Sequence, residues 1–147
     1  EYHKGDMRSV VNKSYPQAIN NGTIRLFKSH RDDIEHGQQK RDFLYVKDAV
    51  DMTLFFLENP DLSGIYNVGT GTARPFDDLA SSVFEALDKP TEIEYFDMPD
   101  HIRPNYQYYT EADLSKLRDA GYDGEITSLE DGINDYVANY LHTDDPT

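Results

Sequence analysis

Four short stretches carry residue types that do chemistry. The first is EYHKG, residues 1–5, which sets Lys4 beside a histidine and a glycine. A lysine becomes a general acid or base where burial disfavours its ammonium, and is a solvated cation otherwise. The second is Arg41-Asp42-Phe43, an arginine entering an apolar segment after a long polar loop. Its guanidinium either meets a ligand phosphate with its planar fork or pairs with Asp42 or Asp48. The third is YQYY, residues 106–109, with Arg103 just upstream. Tyrosine offers a flat apolar face and a hydroxyl, which suits a sugar or an adenine but also suits covering a core, the reading favoured for Tyr108 and Tyr109. The fourth is Gly69-Thr70-Gly71, between an apolar segment and an amphipathic one.

Two patterns fail on their spacing. A dinucleotide-binding fingerprint opening at Gly69 needs Gly or Ala at position 74, where the helix must pack closely, and that position is Arg74. The two glycines are therefore expected to serve a tight turn. His30 and His36 flank Asp32, Asp33 and Glu35, but their spacing matches no common zinc arrangement and no metal is expected. No P-loop or nucleophile-elbow pattern occurs.

The elements that must position these residues follow from periodicity. Residues 8–21 read as a helix stopped by Gly22, with Pro16 kinking it or marking its start. Residues 23–27 read as a strand and 28–40 as a polar loop. Residues 41–46 read as a strand, and Asp48 as the N-cap of a helix over 49–58. That helix is apolar almost all round and is expected to be buried. A second apolar strand follows over 63–69, then a turn over 70–75. Phe76, Leu79, Ala80, Val83, Phe84 and Leu87 keep the spacing of an amphipathic helix. Residues 92–98 read as a strand, followed by a polar loop to about 109.

Thr110 with Asp113, and Ser128 with Asp131, resemble capping boxes that open two final helices. The tail from His142 is expected to fray. Alternating strands and helices with no internal repeat indicate an α/β fold. The core is expected from about residue 41 onward, with 1–10 and 28–40 the least ordered.

Composition narrows the partners. A count of 28 acidic residues against 14 Lys/Arg gives a net charge of −14, which argues against nucleic acid or an anionic membrane surface. Residues 1–49 hold nine of the Lys/Arg and seven of the acids, a local excess of two positive charges. An anionic ligand should meet that first third. The absence of cysteine excludes disulfides and thiolate chemistry and fits a reducing cytoplasm. No apolar run approaches the roughly 18–20 residues of a membrane span. A chain of 147 residues suits one domain.

RDFLYVKDAVD (41–51) followed by GIYNVGTG (64–71) resembles the second half of an extended short-chain dehydrogenase/reductase, in the nucleotide-sugar epimerase and dehydratase group. EYHKGDMRSV (1–10), LFKSHRDD (26–33) and FDMPDHIRPNYQYYTEADLSKLRDAGY (96–122) narrow the resemblance to members acting on an ADP-linked heptose. The resemblance implies an α/β substrate-binding portion in one domain over 1–147, with 1–40 supplying the substrate-site helix, strand and loop and 41–147 the α/β core. It also implies that the cofactor-binding Rossmann core is absent, together with its glycine-rich turn and its Tyr-x-x-x-Lys pair. None of the eleven tyrosines here has a lysine four residues later.

By the same resemblance, heptose C6 is oxidised and re-reduced through NADP, which the absent domain mainly holds. Lys4 is the acid–base group on one face and touches the cofactor. Asp6, Lys13, Phe27, Lys28, Ser29, His30, Arg41 and Tyr106 contact substrate. Asp6 stands where serine is common and Lys13 where histidine is usual. The 28–40 loop exceeds that of some relatives in length and would reshape the nucleotide rim. A cytoplasmic homo-oligomer making a lipopolysaccharide precursor is implied, with this portion inactive alone. A UDP- or GDP-sugar enzyme of the superfamily and a non-catalytic nucleotide-sugar-binding domain are the alternatives.

Overall fold

Among the described residues, two two-stranded sheets and five α-helices position the chemistry. The computed structural model describes residues 2–142; Glu1 and 143–147 lie outside the described residues, as do the side chains of Tyr2, Asp6 and Met7. The tail expected to fray thus lies outside the described residues from 143 onward. The order is a 3-10 turn Tyr2–Met7, α1 Val10–Asn20, β1 Ile24–Phe27, β2 Lys40–Asp42, α2 Val46–Glu58, β3 Ala73–Pro75, α3 Phe76–Glu85, β4 Ile93–Phe96, a 3-10 turn Arg103–Asn105, α4 Ser115–Asp119 and α5 Leu129–Tyr136, which continues as a wider turn Val137–Leu141.

Strands β1 and β4 pair in parallel, from Ile24 opposite Ile93 to Phe27 opposite Phe96. Strands β2 and β3 pair antiparallel, with Lys40 opposite Pro75 and Asp42 opposite Ala73. Helix α1 starts where Ser9 accepts a hydrogen bond from the Asn12 N–H at 3.2 Å. It runs through Pro16 and stops before Gly22 at φ +68°, a backbone that glycine adopts without strain. Ser128 caps α5 through the Asp131 N–H at 3.0 Å, as its spacing predicts.

The core straddles the expected boundary at residue 41. Ala18 of α1 and Ile24 and Leu26 of β1 pack with Leu79, Ala80, Val83 and Phe84 of α3 and with Ile133, Val137 and Leu141. Helix α1 and strand β1 therefore belong to the core and do not precede it. A smaller cluster joins Met52 of α2 to Leu117 and Tyr122.

Several expectations are corrected. Helix α2 begins three residues early, at Val46, with Tyr45 as its cap. Asp48 sits in the first turn, where its buried carboxylate accepts from the Thr127 N–H at 2.9 Å and Oγ1 at 2.7 Å. The helix is not buried on all sides: Val46, Val50, Leu54 and Leu57 are exposed, because the Met52 face alone meets Leu117 and Tyr122. Residues 63–69 form no strand, since a strand needs a hydrogen-bonding neighbour and none pairs with them among the described residues; Ile65 is 87% exposed. Residues 73–75, expected as turn, supply β3 instead, and the strand expected over 41–46 shortens to its first two residues plus Lys40. Thr110 opens no helix; α4 starts after Leu114, and Asp113 accepts the Ser115 N–H at 2.9 Å.

The 28–40 loop is also tied down, contrary to expectation. Gln39 is buried and its Nε2 donates to the Phe27 carbonyl at 3.1 Å. The Asp77 carboxylate accepts from Gln38 Nε2 at 2.8 Å and from the Tyr95 hydroxyl at 2.9 Å, while the Asp77 N–H donates to the Gly37 carbonyl at 3.2 Å. A side chain on Gly37 would run straight into that carboxylate.

Replacing Phe84, which is fully buried at the centre of the larger cluster, should cost about 3–5 kcal/mol as Phe84→Ala. Urea unfolding of the variant would show it as a lower midpoint at an unchanged slope.

Candidate functional site

Parallel pairing puts the carboxyl ends of β1 and β4 on one edge, where open α/β sheets collect ligands. Phe27 and Phe96 end those strands with ring centroids 4.9 Å apart. The segment from Met98 to Thr110 then crosses to the second sheet. The Lys40 N–H donates to the Tyr108 carbonyl at 2.9 Å, and the Thr110 N–H to the Lys40 carbonyl at 3.3 Å. This registers Tyr106 edge-on to Phe27 at 6.2 Å and to Tyr108 at 5.2 Å. Arg41 places its guanidinium 5.1 Å from the Tyr106 centroid and 5.7 Å from that of Phe76.

Of the two readings of Arg41, the pairing with Asp42 or Asp48 is not met, because both carboxylates accept from other donors. Asp42 accepts from the Thr70 N–H at 2.7 Å, the Thr70 hydroxyl at 2.6 Å, the Gly71 N–H at 3.0 Å and the Ala112 N–H at 2.9 Å. Asp48 is occupied by Thr127. Among the described residues no carboxylate pairs with Arg41, whose Nη1 donates to the Lys40 carbonyl at 2.8 Å. Burial raises the Tyr106 phenol and Tyr108 adds to the rise, with Arg41 pulling the other way. Tyr106 therefore stays a neutral hydrogen-bonding group.

The other expected site residues divide by element. Lys28, part-exposed, lies 3.5 Å from Asp97. Ser29 is buried and its N–H donates to His36 Nδ1 at 3.1 Å. The His30 N–H donates to the Tyr108 hydroxyl at 3.1 Å, and its Nε2 accepts the Met98 N–H at 3.3 Å. Both histidines thus brace the loop. Lys4 is exposed on the Tyr2–Met7 turn, and Lys13 is half-buried on α1, the helix that precedes β1. The Asp6 side chain lies outside the described residues.

Sequence reasoning leaned towards a core role for Tyr108, which the structure puts beside Tyr106 instead. The signal was available, because residues two apart in an extended segment share a face. Tyr109 faces away, and its hydroxyl donates to Glu111 at 2.7 Å. Arg31, seated 5.5 Å over Tyr108, left no trace in spacing.

Gly69-Thr70-Gly71 does not fit a dinucleotide. Two of its amides already serve Asp42, and a Cβ on Gly69 would stand 2.5 Å from the Ala112 Cβ. The turn is filled by this chain's own atoms.

The NAD dependent epimerase/dehydratase family matches residues 2–69. The ADP-L-glycero-D-manno-heptose-6-epimerase of Nitratidesulfovibrio vulgaris is 51% identical over 146 residues, covering 99% of this chain and 45% of its own length. The protein of the same name from Fusobacterium nucleatum is 48% identical, covering 99% and 46%. Among solved structures, the Helicobacter pylori ADP-L-glycero-D-manno-heptose-6-epimerase superposes with a TM-score of 0.73 at 28% identity, over 93% of this chain and 38% of that one. The Thermus thermophilus UDP-glucose 4-epimerase, solved with NAD, gives 0.67 at 25% identity over 85% and 37%. The chain spans about half the length of the curated relatives it matches.

Asp42 sets an acid limit on this arrangement. Burial opposes its charge, but the Thr70, Ala112 and Gly71 hydrogen bonds prevail and hold its pKa below the ordinary value. A depressed carboxylate stabilises the fold fully above its unfolded value of about 3.9 and loses that effect as pH falls through the folded value. Asp42→Asn should cost about 1–3 kcal/mol at pH 7 and less at pH 3. Urea midpoints at the two pH values check this; an equal loss at both would contradict it.

Proposed function

Because the chain belongs to the NAD dependent epimerase/dehydratase family, we propose that it is the substrate-binding portion of an ADP-L-glycero-D-manno-heptose 6-epimerase. In this reading the whole enzyme is a cytoplasmic homo-oligomer that uses NADP and supplies heptose for lipopolysaccharide. High identity to two proteins of that name over nearly the whole chain supports the substrate. The observation that carries the site is Arg41: a guanidinium seated on Tyr106 at the carboxyl edge of the parallel pair, with no carboxylate partner among the described residues.

Each residue then has a task its chemistry allows. Arg41 holds the diphosphate through its fork, since the Lys40 carbonyl occupies only Nη1. Phe27, Lys28, Ser29 and His30 lie along the nucleotide, with Lys28 adding positive charge near the phosphates. Tyr106 offers its ring and a protonated hydroxyl to the substrate. Lys13 and Asp6 are assigned to the heptose by the family resemblance. Lys4 gives and takes a proton on one face of the reacting carbon. The excess of positive charge in the first third of the chain draws the anionic substrate to this edge. Hydride chemistry belongs to the cofactor, which residues other than Gly69–Gly71 must hold.

Calorimetric titration with ADP, UDP and GDP tests the nucleotide. ADP should bind most tightly, and Arg41→Ala should weaken it by roughly 10–100-fold, the range for a lost charge-assisted pair. A preference for UDP or GDP would transfer the proposal to another nucleotide sugar. In a protein that joins this chain to the family's cofactor domain, Lys4→Ala should lower turnover by roughly 10²–10⁴-fold. Unchanged turnover would remove Lys4 from the mechanism.

A further inference from the structure

We infer that Arg31 is a second guanidinium for the diphosphate of the bound nucleotide, restrained by Asp33 until the ligand displaces it. The inference rests on the nucleotide-sugar reading of the same site and adds to it a residue that discriminates diphosphate from monophosphate.

Local bonds aim Arg31 at the site. Ser29 Oγ accepts the Arg31 N–H at 3.1 Å and donates to the Arg31 carbonyl at 3.2 Å, closing a tight turn just past β1. One residue earlier, the His30 N–H fastens that turn to the Tyr108 hydroxyl. The Arg31 guanidinium consequently sits 5.5 Å over the Tyr108 ring. Tyr108 meets Tyr106 edge-on at 5.2 Å, and Tyr106 carries Arg41 at 5.1 Å. The order is cation, tyrosine, tyrosine, cation, so two guanidiniums flank one aromatic pair.

The two cations differ in what holds them. Arg41 has no carboxylate partner among the described residues, whereas Arg31 donates Nε and Nη2 to the two oxygens of Asp33 at 2.9 and 2.6 Å. Both partners are more than half exposed, at 51% and 64%. An exposed ion pair in water is weak and reversible. A diphosphate carries more negative charge than a carboxylate and offers several oxygens to the same fork. It can therefore take Arg31 from Asp33, with Asp33 turning to solvent. Asp33 thus penalises ligands too weakly charged to replace it, which raises the contrast between ADP and AMP.

Titrations of the chain with ADP, AMP and adenosine test this. Arg31→Ala should weaken ADP by about tenfold and AMP by less. Asp33→Asn should tighten ADP by about two- to fivefold, the span of an exposed ion pair. Adenosine should respond to neither. Arg31→Lys keeps the charge but loses the fork and should fall between Arg31→Ala and the unchanged chain. Asp32→Asn removes a neighbouring charge that is not ion-paired with Arg31, and should leave ADP affinity nearly unchanged. Equal tightening by Asp32→Asn and Asp33→Asn would overturn the inference in favour of a general field effect. ADP binding that needs Arg41 but ignores Arg31→Ala would overturn this inference alone. No ADP binding at all would overturn the nucleotide-sugar reading with it.

Discussion

The Asp42 carboxylate accepts four hydrogen bonds, from Thr70, Gly71 and Ala112, and thereby joins three separate stretches of chain. It fixes β2 to the turn before β3 and to the segment leading into α4. It requires glycine at position 69, because a Cβ there would meet both Asp42 and Ala112. It also decides what its neighbour can do. Successive side chains of a strand point to opposite faces, so with Asp42 turned into the turn, Arg41 lies on the other face against Phe76 and Tyr106.

Other acids act in the same way, which gives the acidic composition a structural meaning. Asp77 ties the 28–40 loop to Tyr95, and Asp48 ties α2 to Thr127. Asp135 of α5 accepts from both the Tyr45 hydroxyl and Lys47, at 2.8 Å for the lysine, and is held down to about 2 by that lysine and that phenol. Glu130 and Asp78 share Arg74, linking α5 to β3 and α3. These acids thus brace loops and helix ends. The cations of the aromatic edge remain beside tyrosine rings.

The site itself depends on a crossing. Residues 98–110 leave one sheet and register on the other through Lys40, so that Phe27, Tyr106, Tyr108 and Arg41 meet although they come from distant positions. Away from that edge, α2 shows Val46, Val50, Leu54 and Leu57 to solvent, and Ile65 and Val68 beside it are likewise exposed. The helix forms all the same, because its hydrogen bonds close within it.

Local rules were legible wherever they close on themselves. The spacing from Phe76 to Phe84 marked α3, the Ser128 box marked the start of α5, and Arg74 in the third fingerprint position pointed to a tight turn at Gly69–Gly71. The family resemblance was likewise carried by contiguous residues. Rules that need a partner were not legible. Residues 63–69 have strand composition but no neighbour among the described residues, and α2 has core composition but a single covering face. Sequence could name Arg41 and leave two fates for it. Only the fold could set aside the carboxylate pairing, because that rests on where Asp42 and Asp48 find their donors, at Thr70, Ala112 and Thr127. Those donors lie 28 to 79 residues away along the chain, beyond the reach of any local pattern.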